Sequence, residues 1–292
     1  MSNAPDGRDA GGRGIFERPA QSFEFDPQSL SWILADSANP LNRIAKIIPA
    51  GMTVLDVGAG NGVLSRLLST LGKSVQIDAV EPDPVAQLSA APFYRSIYRG
   101  GLAEFLVWAG DRNLRYDFIV LADVIEHLAN PEALLRSLKE LLTPMGAIVL
   151  STPNVAFASV RLALLRGCFD YVDSGILERT HLRFYTRATL AKLFSAVDLY
   201  ISEQYHCLRS PFQTEIVIAD SPLMPIVLAR VARDELSSVY QFLFVLRNNP
   251  CSTPRPISLG SSGQWLPLAF LGHRLRGMMK RLFRSGWRVR PK

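Results

Sequence analysis

Two short sets of apolar residues at helical spacing open the readable part of the chain: Leu30, Ile33 and Leu34, then, after a break at Pro40, Leu41, Ile44 and Ile47. From Thr53 the pattern changes to apolar strands alternating with helices, the mark of a parallel sheet covered on both faces. Strands are predicted at residues 53–57, 75–80, 96–99, 117–121 and 147–150, with a helix over 62–71 after the first. The best-marked helix starts at an Asn130 cap, fits Pro131 in its first turn, and carries Leu134, Leu135, Leu138, Leu141 and Leu142 as a buried stripe. Beyond the fifth strand the spacing loosens. An apolar helix over 155–165 precedes a polar loop over 167–185 and a helix over 186–197. Strands at 200–207 and 240–246 flank an apolar helix at 224–231. The expectation is an α/β domain built on a mixed seven-stranded sheet with helices on both faces. Residues 1–20 read as a disordered leader, 21–247 as this domain, 248–264 (rich in Pro, Ser and Gly) as a linker, and 265–292 as a basic amphipathic tail.

Charge changes the picture at one end only. Glu235 is the last acid; residues 236–292 hold ten Lys or Arg, so the +6 of the whole chain leaves −4 on residues 1–235. A nucleic-acid surface on the body is therefore not expected. In the tail, Leu268, Leu271, Leu275, Met278, Met279 and Leu282 recur at helical spacing, with Arg274, Arg276, Lys280, Arg281 and Arg284 between them and Trp265 and Trp287 at the flanks. That composition predicts an interfacial helix on an anionic membrane surface. Residues 1–20 lack the apolar run of a signal peptide, and no uncharged apolar stretch reaches the roughly 18–20 residues of a membrane-spanning helix. Cys168, Cys207 and Cys251 are far apart and in no metal-ligand spacing, which fits reduced thiols in a cytoplasmic protein.

The chemistry concentrates after the strands. Asp56, Gly58, Gly60 and Gly62 form D-x-G-x-G-x-G at the end of the first strand. A glycine turn there lets a ligand approach the backbone. A dinucleotide fingerprint would place Gly or Ala where this chain has Val63, so a pyrophosphate cofactor is disfavoured. Glu81, ending the second strand, stands where a carboxylate accepts both ribose hydroxyls. With these marks, the run from Tyr116 to Leu128 resembles class I S-adenosylmethionine-dependent methyltransferases. The segments Leu150-Ser151-Thr152-Pro153-Asn154 and Thr180-His181-Leu182-Arg183-Phe184-Tyr185-Thr186 narrow the likeness. They resemble the branch holding the ubiquinone-biosynthesis O-methyltransferase and its surface-glycan relatives, and the likeness covers about residues 30–247.

The resemblance implies a Rossmann-like fold with S-adenosylmethionine bound by Asp56, Gly58, Gly60, Gly62, Glu81, Gly101, Leu102 and Asp123. An acid at Asp56 suits a sulfonium and an ammonium. The chain departs from the family in lacking an acid directly after the third strand, which leaves the backbone of Gly101 and Leu102 for the adenine. If a helical turn follows the fourth strand, Asp123, Glu126 and His127 share a face. His127 is then a candidate base, and the three together a candidate divalent-metal site; bracing of the loop is the plain alternative. Asn154, His181 and Arg183 are candidate acceptor contacts, with His181 a possible second base. The acceptor is expected to be a small or lipid-linked sugar or phenol. N-methylation of an amino-sugar and a non-catalytic cofactor-binding module are the rival readings.

Overall fold

The computed structural model describes residues 26–216, 218, 224–250 and 254–260. The predicted leader and basic tail lie outside the described residues. Four helices start the same way, with an Asp or Asn cap followed by proline. Asp26 caps α1 (Pro27–Ala35), Asn39 caps α2 (Pro40–Ile47), Asp83 caps α4 (Pro84–Ala90) and Asn130 caps α6 (Pro131–Lys139). The cap oxygen satisfies a first-turn N–H, and proline has no N–H to leave orphaned there.

The strands are β1 (Thr53–Val57), β2 (Gln76–Val80), β3 (Ser96–Tyr98), β4 (Tyr116–Ala122), β5 (Leu142–Pro153), β6 (Tyr200–Leu208), β7 (Val239–Arg247) and β8 (Ile257–Leu259). They form one sheet in the order β3-β2-β1-β4-β5-β7-β6-β8. The first five run parallel, and β7 enters antiparallel between β5 and β6. Side chains alternate between the two faces. Leu55, Val57, Ile119, Leu121, Ile148 and Leu150 pack with α5 (Leu102–Asp111), α6 and α8 (Arg187–Ala196). Val54, Phe118, Val120, Ala147 and Val149 pack with α2 and α3 (Val63–Thr70). A third, smaller cluster of Phe157, Val160, Ile176, Leu177 and Ile216 lies under the segments that follow β5, including α7 (Ala158–Leu165).

Three expectations change. The sheet has eight strands, because residues 257–259 of the expected linker add to the exposed edge of β6, in parallel. Pro254 and Pro256 are compatible with that edge, where fewer backbone N–H groups must be satisfied. Leu141 and Leu142 leave the helical stripe: α6 stops at Lys139 and Leu142 already pairs with Tyr116. The register then jumps, with Phe118 opposite Ala147, so residues 143–146 bulge from the ladder. Finally, α4 and α5 were not expected as helices. Among the described residues no helix is long and apolar enough to cross a membrane.

Candidate active site

The carboxyl ends of β1, β2, β3 and β4 frame one cleft, which is where ligands bind in sheets of this kind. Its wall includes Val57, Gly58, Val80, Glu81, Gly101, Leu102, Val124, His127 and Leu128. The empty space within it, open solvent included, is about 850 Å³. Gly58, Gly60 and Gly62 all have positive φ, at 73°, 55° and 82°. At Gly62 a side chain would also press on Ala90 and on Tyr94, each at 3.2–3.3 Å from a built Cβ. Only glycine fits both the left-handed turn and this close packing.

Glu81 is buried and holds the loop from across the cleft. Its Oε2 accepts the Gly60 N–H at 2.7 Å and its Oε1 accepts the Asp83 N–H at 2.9 Å. A carboxylate has about four acceptor positions, so two bonds leave capacity for ribose hydroxyls on the cleft side. Asp83 caps α4 through the N–H groups of Val85 and Ala86. Asp56 stands behind the glycine loop, on the face of the sheet shared with Val54, and does not form part of the cleft wall. The Tyr94 hydroxyl donates to its Oδ2 at 2.6 Å. Burial pushes the Asp56 carboxyl up to about 7; the Tyr94 bond opposes this and the Glu81 charge adds to it. Nothing in the sequence pointed to Tyr94, which lies 38 residues from its partner.

After β4 the chain turns through Asp123, whose φ of 56° is unusual outside glycine, into a single 3-10 turn at Ile125–His127. Asp123, Glu126 and His127 do not gather as a triad. Asp123 Oδ1 accepts from Ser151 at 3.0 Å and from Gln241, so β5 and β7 draw it aside. In its place stands His181. Among the described residues, Glu126, His127 and His181 offer ligand atoms that all lie within 4.8 Å of one another, and all three are buried. The two imidazoles meet edge to face, with ring centroids 4.7 Å apart. Glu126 Oε2 accepts from Thr152 at 3.1 Å, while Glu126 Oε1 is buried without a hydrogen-bond partner. Burial first, then the Asp123 charge, holds the Glu126 carboxyl well above the usual carboxylate range.

The ring nitrogens are oriented. His127 Nδ1 lies 3.3 Å from the Thr180 carbonyl oxygen and 3.1 Å from Thr180 Oγ1. His181 Nδ1 lies 3.0 Å from the Ile176 carbonyl oxygen. A carbonyl only accepts, so His181 Nδ1 carries the hydrogen and its neutral ring keeps its lone pair on Nε2. At His127, by contrast, the Thr180 hydroxyl can donate or accept, and its direction decides between the two nitrogens. The backbone closes the arrangement: the N–H groups of Leu182 and Arg183 both donate to the Glu126 carbonyl, at 2.8 and 2.9 Å.

Two of the expected acceptor contacts lie outside the cleft wall and are engaged elsewhere. Asn154 is fully buried, and every polar group of its side chain is used. Nδ2 donates to the Leu236 and Val239 carbonyls at 3.1 and 2.8 Å, and Oδ1 accepts the Ala156 N–H at 3.0 Å. It ties the end of β5 to the start of β7. Arg183 is exposed and donates to the Ala129 carbonyl, outside the cleft wall.

The sheet and this cleft define an α/β protein built to hold a nucleoside-type cofactor. Residues 30–204 match the methyltransferase domain family. The chain is 33% identical over 178 residues to the ubiquinone biosynthesis O-methyltransferase of Dinoroseobacter shibae, a match covering 59% of this chain and 70% of that protein. A protein of the same name from Azorhizobium caulinodans is 33% identical over 176 residues, 58% of this chain and 67% of that protein. The chain thus belongs to the class I S-adenosylmethionine-dependent methyltransferases, and its cofactor is S-adenosylmethionine. It is also similar to the crystal structure of a SAM dependent methyltransferase from Archaeoglobus fulgidus, with a TM-score of 0.49 and 15% identity over 72% of this chain and 91% of that one.

Proposed function

We propose that the chain methylates a hydroxyl of a small or lipid-linked acceptor, a sugar or a phenol, with His127 accepting the hydroxyl proton. The observation that carries this reading is a cluster of protonatable groups that reaches the cleft wall at His127. His127 forms part of the wall that also holds Glu81 and Gly101, and its ligand atom lies within 4.8 Å of those of His181 and Glu126. An amine need only arrive deprotonated, whereas a hydroxyl must lose a proton, so buried bases favour oxygen as the nucleophile. The names of the relatives at 33% identity support the same choice.

S-adenosylmethionine supplies the methyl group on a sulfonium with a neutral leaving group. The protein's part is then alignment, which provides much of the rate in a displacement of this kind. Glu81, Gly58, Gly60, Gly101 and Leu102 hold the cofactor; Gly62 and Asp56, through Tyr94, keep the loop in shape; His181 faces the acceptor. Asp123 acts at one remove, through Ser151 and Gln241.

Glu126, His127 and His181 also suit a divalent cation. The two Nε2 lone pairs and the partnerless Glu126 Oε1 supply three ligand atoms of the types such ions take. A cation bound there would occupy the His127 Nε2 lone pair, so it would stand in place of that ring as the base, lowering the pKa of an acceptor hydroxyl instead. The basic tail at 265–292 gives a lipid-linked acceptor an anionic membrane surface to be met on, at the cytoplasmic face.

The test is transfer of radiolabelled methyl to fractions of cell extract, with lipid-linked glycans and quinone-type phenols among them. Label recovered as an O-methyl ether supports the reading; label on nitrogen overturns it. Repeating the assay after chelation, with magnesium or zinc added back, decides the metal: unchanged activity in chelator removes it.

A further inference from the structure

We propose that Glu178 is a positioning residue that sets which nitrogen of His127 bears the hydrogen; this rests on the reading of His127 as the proton acceptor. Glu178 lies in the polar loop after α7, and neither the sequence patterns nor the likeness to other methyltransferases singled it out. The loop is tightly held there. Val172 donates to the Leu177 carbonyl and Arg179 to the Val172 carbonyl, both at 3.0 Å, and Ile176 donates to Glu215 at 2.7 Å. Buried Ile176 and Leu177 anchor the same segment in the third apolar cluster. His181 N–H donates to the Glu178 carbonyl at 3.0 Å, which fixes the spacing between the carboxylate and the histidines.

Both carboxylate oxygens face the cluster. Oε1 accepts the Thr180 hydroxyl at 2.6 Å, and Oε2 lies 3.9 Å from His181 Nε2. The first of these contacts decides the tautomer. A hydroxyl has one hydrogen, and Glu178 takes it. Thr180 Oγ1 therefore presents only lone pairs to His127 Nδ1 at 3.1 Å, alongside the Thr180 carbonyl at 3.3 Å. Two acceptors at Nδ1 demand a hydrogen there and leave the lone pair on Nε2. Without Glu178 the Thr180 hydroxyl is free to donate to His127 Nδ1, 3.1 Å away. The hydrogen would then move to Nε2, and that atom could no longer take a proton from the acceptor.

The experiment uses the full chain with ¹⁵N-labelled histidine, read at one fixed pH where the rings are neutral, without any acceptor. His127→Asn and His181→Asn identify the resonances among the four histidines. Wild type is expected to show His127 as the Nδ1–H tautomer, and Glu178→Ala to move it toward Nε2–H. Turnover should fall by roughly tenfold to a hundredfold, the usual effect of losing a partner that orients a functional histidine. The double variant Glu178→Ala/Thr180→Val removes the misdirected hydroxyl and is expected to return His127 to Nδ1–H on the Thr180 carbonyl. A wild-type tautomer in Glu178→Ala, or no return in the double variant, overturns the proposal. A tautomer change with unaltered turnover upholds the role of Glu178 and removes His127 as the base instead.

Discussion

Asp56 and Glu126 are carboxyls that burial keeps from ionising easily, and they differ in what answers the cost. Asp56 has one strong partner, the Tyr94 hydroxyl, and its carboxyl is still pushed up to about 7. The folded protein thus binds this proton more tightly than the unfolded chain, where the group titrates near its ordinary 3.8. The contribution of Asp56 to stability is fully present below about pH 4, declines as the pH rises toward about 7, and is flat above that. Asp56→Asn should remove this decline. Denaturant unfolding at about pH 5 and about pH 8 measures it: the wild type should lose more stability between the two than the variant does. Equal losses would show that Asp56 is ionised throughout. At His127 the expected outcome is catalytic instead. His127→Ala should lower turnover by at least roughly a hundredfold, the usual worth of a positioned base, while cofactor affinity changes far less. If His181→Ala proves the more damaging of the two, the base lies in the loop after β5.

At the scale of elements, the parts that frame the cleft were the most legible, and for a physical reason. A strand ending in a glycine turn writes its function in consecutive residues, so β1, the loop from Gly58 to Gly62 and Glu81 could be read directly. The Asp-Pro and Asn-Pro pairs also mark helix starts, and Asp83-Pro84 carries that signal for α4. What could not be read was partnership across the fold. Asp123 looked like a neighbour of His127 because three or four residues make one helical turn, but Ser151 and Gln241, from other strands, turn it away. Asn154 looked like an acceptor contact because a polar residue ends an apolar strand. Its partners, Leu236 and Val239, lie more than 80 residues on. A structural Asn154 makes a distinct prediction. Asn154→Ala should cost about 1–3 kcal/mol, the usual penalty for leaving buried carbonyls unsatisfied. Thermal unfolding would register it, and KM for the acceptor in the remaining folded enzyme should stay as it is. A changed KM with unchanged stability would return Asn154 to the acceptor site.

Over the whole molecule, charge is divided between a body that is net acidic and a segment that is wholly basic. That division supports a prediction about where the protein works. Between residues 265 and 290 the apolar Leu268, Leu271, Leu275, Met278, Met279 and Leu282 alternate at helical spacing with Arg274, Arg276, Lys280, Arg281 and Arg284. Each cation near an acidic bilayer contributes roughly 1 kcal/mol, so five outweigh an apolar side of modest size. Nucleic acid would use the same charges, but Trp265, Trp287 and the leucines favour lipid, whose interface accepts both rings and cations. The comparison that tests this must spare the sheet. Ending the chain before residue 257 would strip β8 from β6, so the shortened protein should end at Gly260. Its partner in the test is the full chain with the five cations changed to glutamine. Full-length protein should co-sediment with vesicles containing acidic lipid at low salt, and both variants should stay largely in the supernatant. Recovery should fall as salt rises, because screening shortens the reach of each charge. Equal sedimentation of all three proteins would remove the membrane from this account while leaving the methyltransferase site as it stands.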